Sequence, residues 1–382
     1  MKNINKFTLL TLLLLAMTTV MSNVAIVTSL PHLKEYFKHT ANIEFYSRLM
    51  LTLPSLAIAL LAPILGHIIF RFGKKKSVLI ALFFFSFFGT AGLYLDSIET
   101  LLASRALFGL CVATLMIVST SLVGDYFKEE ERHQFMAYQS AFMALGGVFF
   151  VIGGGMLSDI NWRFPFGIYF IGIILIPFVL KNIKEIKIED IEEEETANIS
   201  KNILFVYFLA FFYMLLFFIL PTQFPFLLIE KFKVSGSYAG TIIATAFFFN
   251  ALGAIVFSKL KKIYSYSTIY IIGLALIAFG LSLVGIITNV HFFFISAPIL
   301  GFSGGFMMTN AVAWMLSKTN PKKRVKSSGY FTSSIFLGQF LSPIVFHPLV
   351  AIFEIQKFFS IIGASLFVIV LLVVIIKKVI QR

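Results

Sequence analysis

A charge that falls inside an apolar stretch is costly to keep from water, so it marks where chemistry should be sought. The 382-residue sequence has few such positions. Arg105 stands in the apolar run 101–123, with Gly109 four residues on, and His347 stands in the run 328–350. Glu44, Asp96, Glu99 and Glu230 occupy the ends of apolar runs. An imidazole or carboxylate that can face both sides of a membrane can carry a proton, which makes His347 and Asp96 the proton-coupling candidates. Each has a plainer alternative: a hydrogen-bonded packing histidine, and an acid at the membrane interface. Arg105 stays protonated, so at most it tunes a neighbouring carboxylate. It either faces a partner or a wet cavity, or it snorkels to the interface.

Covalent and metal chemistry find little support. There is no G-x-x-x-x-G-K-[S/T] phosphate loop and no H-E-x-x-H zinc motif. His67, His291 and His347 form no ligand-spaced pair. The single cysteine, Cys111, excludes an internal disulfide and a multi-cysteine metal site. Neither an enzyme nor a metal or cofactor is expected.

The elements that must position these groups follow from composition. Hydrophobic residues make up 59% of the chain and charged residues 13%. A soluble domain carries roughly 25% charged residues, so the solvent of this chain is a lipid bilayer. Twelve runs are long enough to cross it: 7–30, 46–70, 77–95, 101–123, 135–157, 164–181, 203–229, 237–258, 267–288, 291–317, 328–350 and 357–376. They must be helices, because open strands leave backbone groups unpaired in lipid. The first run follows Lys2 and Lys6 like a signal peptide, but it is too long and lacks a small-x-small cleavage site, so it reads as a retained helix.

The net charge of +13 would point to nucleic acid in a soluble protein. Here the basic residues lie in short loops. With the N-terminus inside, the cytoplasmic segments hold 23 of the 31 Lys and Arg, which places both termini in the cytoplasm. The most cationic short loop lies within Gly66–Val78, where Arg71, Lys74, Lys75 and Lys76 separate two spans and Gly66 and Gly73 predict close packing and a tight turn. Residues 182–202 carry the acidic run 189–195 and read as a solvated linker between halves 1–181 and 203–382. Placed on the basic stretch, the segment 253–262 aligns Gly253 with Gly66, Phe257 with Phe70, and Lys261 and Lys262 with Lys74 and Lys75. A repeat of this kind suits a two-fold membrane architecture, although inner loops rich in Lys resemble one another by chance too.

On these residues the chain resembles the major facilitator superfamily. Its loop pattern G-x-x-x-D-R-x-G-R/K-R/K is matched by Gly66, Arg71, Gly73, Lys74 and Lys75, with Phe70 at the acidic position. Arg105 with Gly109 resembles the fourth-helix motif. The glycines Gly146, Gly147, Gly153, Gly154 and Gly155 resemble the fifth helix of the bacterial drug:proton antiporter branch, with Phe150-Val151 replacing its usual Gly-Pro pair. The resemblance implies two pseudo-symmetric six-helix bundles and an inner gate in which Asp125 pairs with Arg71. It also implies a central path lined by spans one, four, seven and ten. Asn23, Met116, Tyr213, Asn310 and Trp314 are the cavity candidates on those spans, with Gln139, Asn250 and Gln339 as neighbours.

The expectation is an all-α integral membrane protein of the bacterial inner membrane, working as a monomer. It would export hydrophobic or cationic small molecules in exchange for protons, by alternating access. An uptake or exchange permease for a metabolite is the first alternative, and a non-transporting receptor or scaffold the second.

Overall fold

A computed structural model describes residues 5–127, 129–184, 201–319 and 324–380. Every regular element among them is helical. Twelve helical spans among the described residues have the length and apolarity to cross a membrane. We label them α1 (Lys6–Tyr36), α2 (Ile43–Ala62), α3 (Lys74–Leu93), α4 (Ile98–Tyr126), α5 (Tyr138–Ile160), α6 (Phe164–Asn182), α7 (Ile203–Lys231), α8 (Gly236–Leu260), α9 (Tyr266–Ile286), α10 (Val290–Ser317), α11 (Ser327–Phe353) and α12 (Ile355–Val379). The chain is a multi-pass membrane protein. An even number of crossings puts both termini at one end, here the terminal end, and the α1–α2 turn at the far end.

Short polar residues set several helix starts. The side chains of Ser97, Ser235 and Ser265 accept hydrogen bonds from the backbone N–H of Thr100, Tyr238 and Thr268, satisfying a donor that helix geometry leaves free. Gly73 both ends the helix that begins at Ile43 and caps α3, at φ 91°, a conformation that a Cβ disfavours. The tight turn expected at this position is present. Asn42, Lys233 and Glu354 also have positive φ, and all three sit in far-end turns.

Two spans depart from the uninterrupted runs read in the sequence. The first does not stop at residue 30. Its helix ends at Val24, passes through a 3-10 turn at Val27–Ser29 and resumes over Leu30–Tyr36. Pro31 in the first turn of the new helix explains the break, since proline lacks the N–H that would continue the earlier ladder. In α7 the helix stops at Phe217, resumes over Ile219–Phe226 and ends in a π-turn at Leu227–Lys231. Pro221 and Pro225 remove the N–H groups that would have bonded to residues 217 and 221.

Packing repeats with a shift of six spans. In the first half α2 packs on α4, α1 on α5, and α3 on both α4 and α6. In the second, α8 packs on α10, α7 on α11, and α9 on both α10 and α12. Across the halves α2 meets α11, and its counterpart α8 meets α5. These main helix pairings thus recur when every span number rises by six. These are two pseudo-symmetric six-helix groups.

Glycines bring the halves together at the α5–α8 contact. A Cβ added to Gly155 would collide with the carbonyl of Gly236, and one added to Gly154 with the carbonyl of Ala25. Gly147 packs on the Phe247 ring and Gly146 on Met17, while Gly153 faces open space. Valine at position 154 or 155 should destabilise by about 1–3 kcal/mol through overpacking. Thermal unfolding of purified protein checks this: Gly154→Val and Gly155→Val should lower the midpoint by several degrees, whereas Gly153→Ala should leave it nearly unchanged.

Candidate functional site

A cavity of about 320 Å³ lies between the halves. Its walls come from Asn23 of α1, Met116 of α4, Met143 of α5, Met214 and Phe217 of α7, Phe247 and Asn250 of α8, and Phe336 and Gln339 of α11. Among the described residues, no charged side chain is part of the lining. The space is therefore a lipophilic pocket with a few amides, a surface that flexible Met and flat Phe side chains can repack around different shapes.

Of the five cavity candidates, Asn23 and Met116 line this space. Tyr213, Asn310 and Trp314 sit elsewhere, in helix contacts. The buried Tyr213 hydroxyl donates to the carbonyl of Gly304 at 2.7 Å. Asn310 Nδ2 donates to the carbonyl of Tyr266 at 3.1 Å, and the Trp314 ring stacks on Tyr266 with centroids 5.9 Å apart. Gln339 and Asn250, expected as neighbours, are walls of the cavity itself. The Ser55 hydroxyl donates to Gln339 Oε1 at 2.9 Å, a hydrogen bond that joins α2 to α11 at mid-depth. Met143, Met214, Phe217 and Phe247 are further walls that carry no mark of it in the sequence. Chemically they match dozens of lipid-facing residues, and only the helix phase around Asn23 and Asn250 hinted at their direction.

Arg105 neither meets an acid nor reaches the interface. It is fully buried, donating from Nε to the carbonyl of Met50 at 3.2 Å and from Nη2 to that of Ser22 at 3.0 Å. Its guanidinium lies 4.4 Å from the Phe108 ring centroid and 5.4 Å from that of Tyr169. The Tyr169 hydroxyl donates to the same Ser22 carbonyl at 2.9 Å. Backbone oxygens and aromatic faces thus replace the carboxylate. Nη1 makes no hydrogen bond with the described residues. Gly109 lets α4 approach Pro54 of α2, whose carbonyl would lie 2.5 Å from an added Cβ.

At the terminal end, Lys74 Nζ lies 2.5 Å from Asp125 Oδ2, with Lys74 buried and Asp125 largely so. Lys75 donates to the Leu180 carbonyl at 2.8 Å. Gly66, named for the same gate, lies within the helix Ile43–Phe72, whereas the Arg71 side chain lies outside the described residues, as does the acidic run 189–195.

The far end holds a charged cluster that joins four spans. Lys34 of α1 binds Glu44 of α2 at 2.8 Å and Glu230 of α7 at 3.0 Å. Arg48 of α2 is buried; its Nε donates to Gln223 Oε1 of α7 at 2.7 Å, its Nη1 donates to the Glu44 carbonyl at 2.6 Å, and it lies over Phe226. His347 of α11 stands 5.8 Å from the Phe45 ring centroid, within electrostatic reach of Lys34, Glu44 and Arg48. On the other flank Asp159 accepts hydrogen bonds from the N–H groups of Gly236 at 2.5 Å and Ser237 at 2.9 Å, an anion placed on the N-terminus of α8. Between described residues, the hydrogen bonds joining the halves lie at this end or at Ser55–Gln339.

Asp96, the other proton candidate, is exposed and pairs with Arg163 at 2.5 Å, away from the cavity walls. A last motif needs mention. Gly301-Phe302-Ser303-Gly304-Gly305 spells G-x-S-x-G, the pattern of a nucleophile turn. Ser303 instead lies inside α10, fully buried, its hydroxyl donating to the Leu300 carbonyl at 2.7 Å. That is a packing serine. No group of His, Cys, Asp and Glu among the described residues is arranged to hold a metal.

The family model described as Major Facilitator Superfamily matches residues 12–223 and 206–380. Among characterised relatives, the chain is 33% identical over 114 residues to Multidrug resistance protein 1 of Bacillus subtilis, covering 28% of each chain. It is 30% identical over 169 residues to Multidrug resistance protein 2 of the same organism, covering 39% of this chain and 40% of the relative. The chain thus spans well under half the length of these relatives. In fold it is similar to a bacterial homologue of the human lysosomal transporter Spinster, solved in an inward-facing and unoccupied conformation, with TM-score 0.71, 16% identity and coverage of 97% and 94%. It is likewise similar to the human organic anion transporter MFSD10, with TM-score 0.68, 15% identity and coverage of 96% and 98%.

The two arginine environments predict different stabilities. Arg105→Lys keeps the charge but cannot bridge two carbonyls and lie flat between two rings, so it should cost about 2 kcal/mol or more. Asp96→Asn removes an exposed ion pair worth about 1 kcal/mol or less. Thermal unfolding of the purified variants should show a drop of several degrees for the first and almost none for the second.

Proposed function

The chain belongs to the major facilitator superfamily and is a transporter rather than an enzyme; on that premise we propose that it exports lipophilic small molecules by alternating access, driven by protons. The observation that carries this reading is the lipophilic cavity shared by the two halves and bounded at the far end by polar cross-links. A path that opens to one side at a time needs a central site and a closure that can be released. The halves are taken as 1–181 and 203–382, joined by the linker 182–202, in a monomer. The proposed setting is the bacterial cytoplasmic membrane with both termini inside, in line with the charge bias of the loops and with the bacterial relatives.

In this reading the far end is the outer face. Opening it separates Lys34 from Glu230 and Arg48 from Gln223, which costs the desolvated hydrogen bonds between α1, α2 and α7. Neutralising Glu230 with a proton removes one side of the Lys34–Glu230 bridge and lowers that cost. The Glu230 carboxylate is therefore the preferred entry for the proton, with His347 near the same cluster. At the other end Asp125 and Lys74, with Arg71 from the same turn, are assigned to the closure of that side. An uptake or exchange permease is the second reading; it is favoured by the lack of a carboxylate in the cavity wall.

Inverted membrane vesicles carrying the protein test the proposal. Adding an uncharged lipophilic fluorophore should collapse an imposed pH gradient. Glu230→Gln should slow that response about tenfold or more per folded molecule. Asp125→Asn should reduce transport more than it reduces the yield of folded protein. Inward accumulation of a polar metabolite without any fluorophore response would instead establish the permease.

A further inference from the structure

The cavity walls carry a selectivity that the family alone does not dictate. Thr19, Ser22, Asn23, Asn250 and Gln339 are the polar residues of the lining. The first two have spent their hydroxyl donors on their own helix, Thr19 on the Ala16 carbonyl and Ser22 on the Thr19 carbonyl. Gln339 Oε1 is occupied by Ser55. Among these five residues, Asn23 alone has a buried polar atom, its Oδ1, with no hydrogen-bond partner among the described residues. An amide left without a partner beside an empty apolar space is costly unless a ligand completes it.

The charges behind the wall have one sign. Arg105 hydrogen-bonds the Ser22 carbonyl, so a full positive charge sits directly behind a lining residue, and the described residues give it no carboxylate. The lining holds no acid to offset it. In a medium of low effective dielectric this field opposes a second cation strongly.

We propose that the cavity selects an uncharged lipophile bearing a hydroxyl-like group, which Asn23 holds by its amide, and that it turns away lipophilic cations. The inference rests on reading this cavity as the transporter's substrate site, and it narrows the substrate class to molecules without positive charge.

Equilibrium binding to full-length protein in nanodiscs tests it, with empty nanodiscs subtracted for partition into lipid. Three probes share one size and shape: triphenylmethanol, triphenylmethane and methyltriphenylphosphonium. Triphenylmethanol should bind about fivefold tighter than triphenylmethane, the worth of one hydrogen bond, and at least tenfold tighter than the phosphonium. Asn23→Leu should erase the preference for the alcohol over the hydrocarbon, read as the ratio of the two affinities. Asn23→Asp, or Met116→Glu should the first variant misfold, should raise phosphonium affinity about tenfold or more. Phosphonium binding as tightly as the alcohol, equal weakening of alcohol and hydrocarbon by Asn23→Leu, or no saturable binding of any probe would each overturn the proposal. Binding is read without a gradient. Selective binding with no proton response would sink only the export reading, and unselective binding with a proton response only this one.

Discussion

A guanidinium taken out of water must find oxygen atoms, and in this protein that requirement decides how three helices meet. Arg105 on α4 reaches the Ser22 carbonyl of α1 and the Met50 carbonyl of α2, and rests against Phe108 and Tyr169. The position of α1 relative to α4 is thereby set one residue away from Asn23, which faces the cavity. The charge orients the wall, and the wall keeps the charge from the cavity. Arg48 does comparable work at the far end, drawing α2 to Gln223 of α7.

Much of this architecture is legible in the chain. Twelve apolar runs, the positively charged loop and the glycine turn at position 73 all follow from local chemistry, since each depends on a residue's own side chain or backbone freedom. The glycines of α5 are legible for the same reason: a missing side chain signals a close approach. The site is less legible. Arg105 is stabilised by backbone carbonyls, which every residue has and which leave no mark in a sequence. Met143, Met214 and Phe247 wall the cavity, yet nothing in their chemistry distinguishes them from Phe83 or Phe149 on the lipid side. Polar atoms avoid lipid, which keeps Tyr213, Asn310 and Trp314 away from it. That rule is sound, but helix contacts satisfy it as well as a cavity does.

The far-end cluster shows a different limit. Glu44 and Glu230 lie 186 positions apart, and each alone reads as an ordinary interface acid. Lys34 between them turns two surface acids into a cross-link. Only the pairing of α1, α2 and α7 makes that visible. The pairing itself follows from the two-fold pattern, in which the contacts of the first half recur in the second. Symmetry therefore fixes which helices meet, while the unmatched residues at the meeting points give each end its own chemistry.

The glycine contact between α5 and α8 has a mechanical meaning. Gly155 touches Gly236 at the very start of α8, backbone against backbone, and Asp159 anchors the same turn by accepting from the N–H groups of Gly236 and Ser237. A first turn anchored in this way is a pivot for α8. The 25 residues of α8 form a lever about 37 Å long at 1.5 Å per residue. A tilt of about 10° about Gly236 displaces the other end of that lever by about 6 Å. Small adjustments where the helix begins are thereby amplified where it ends, and the anchoring of the first turn by Asp159 sets where that amplification starts.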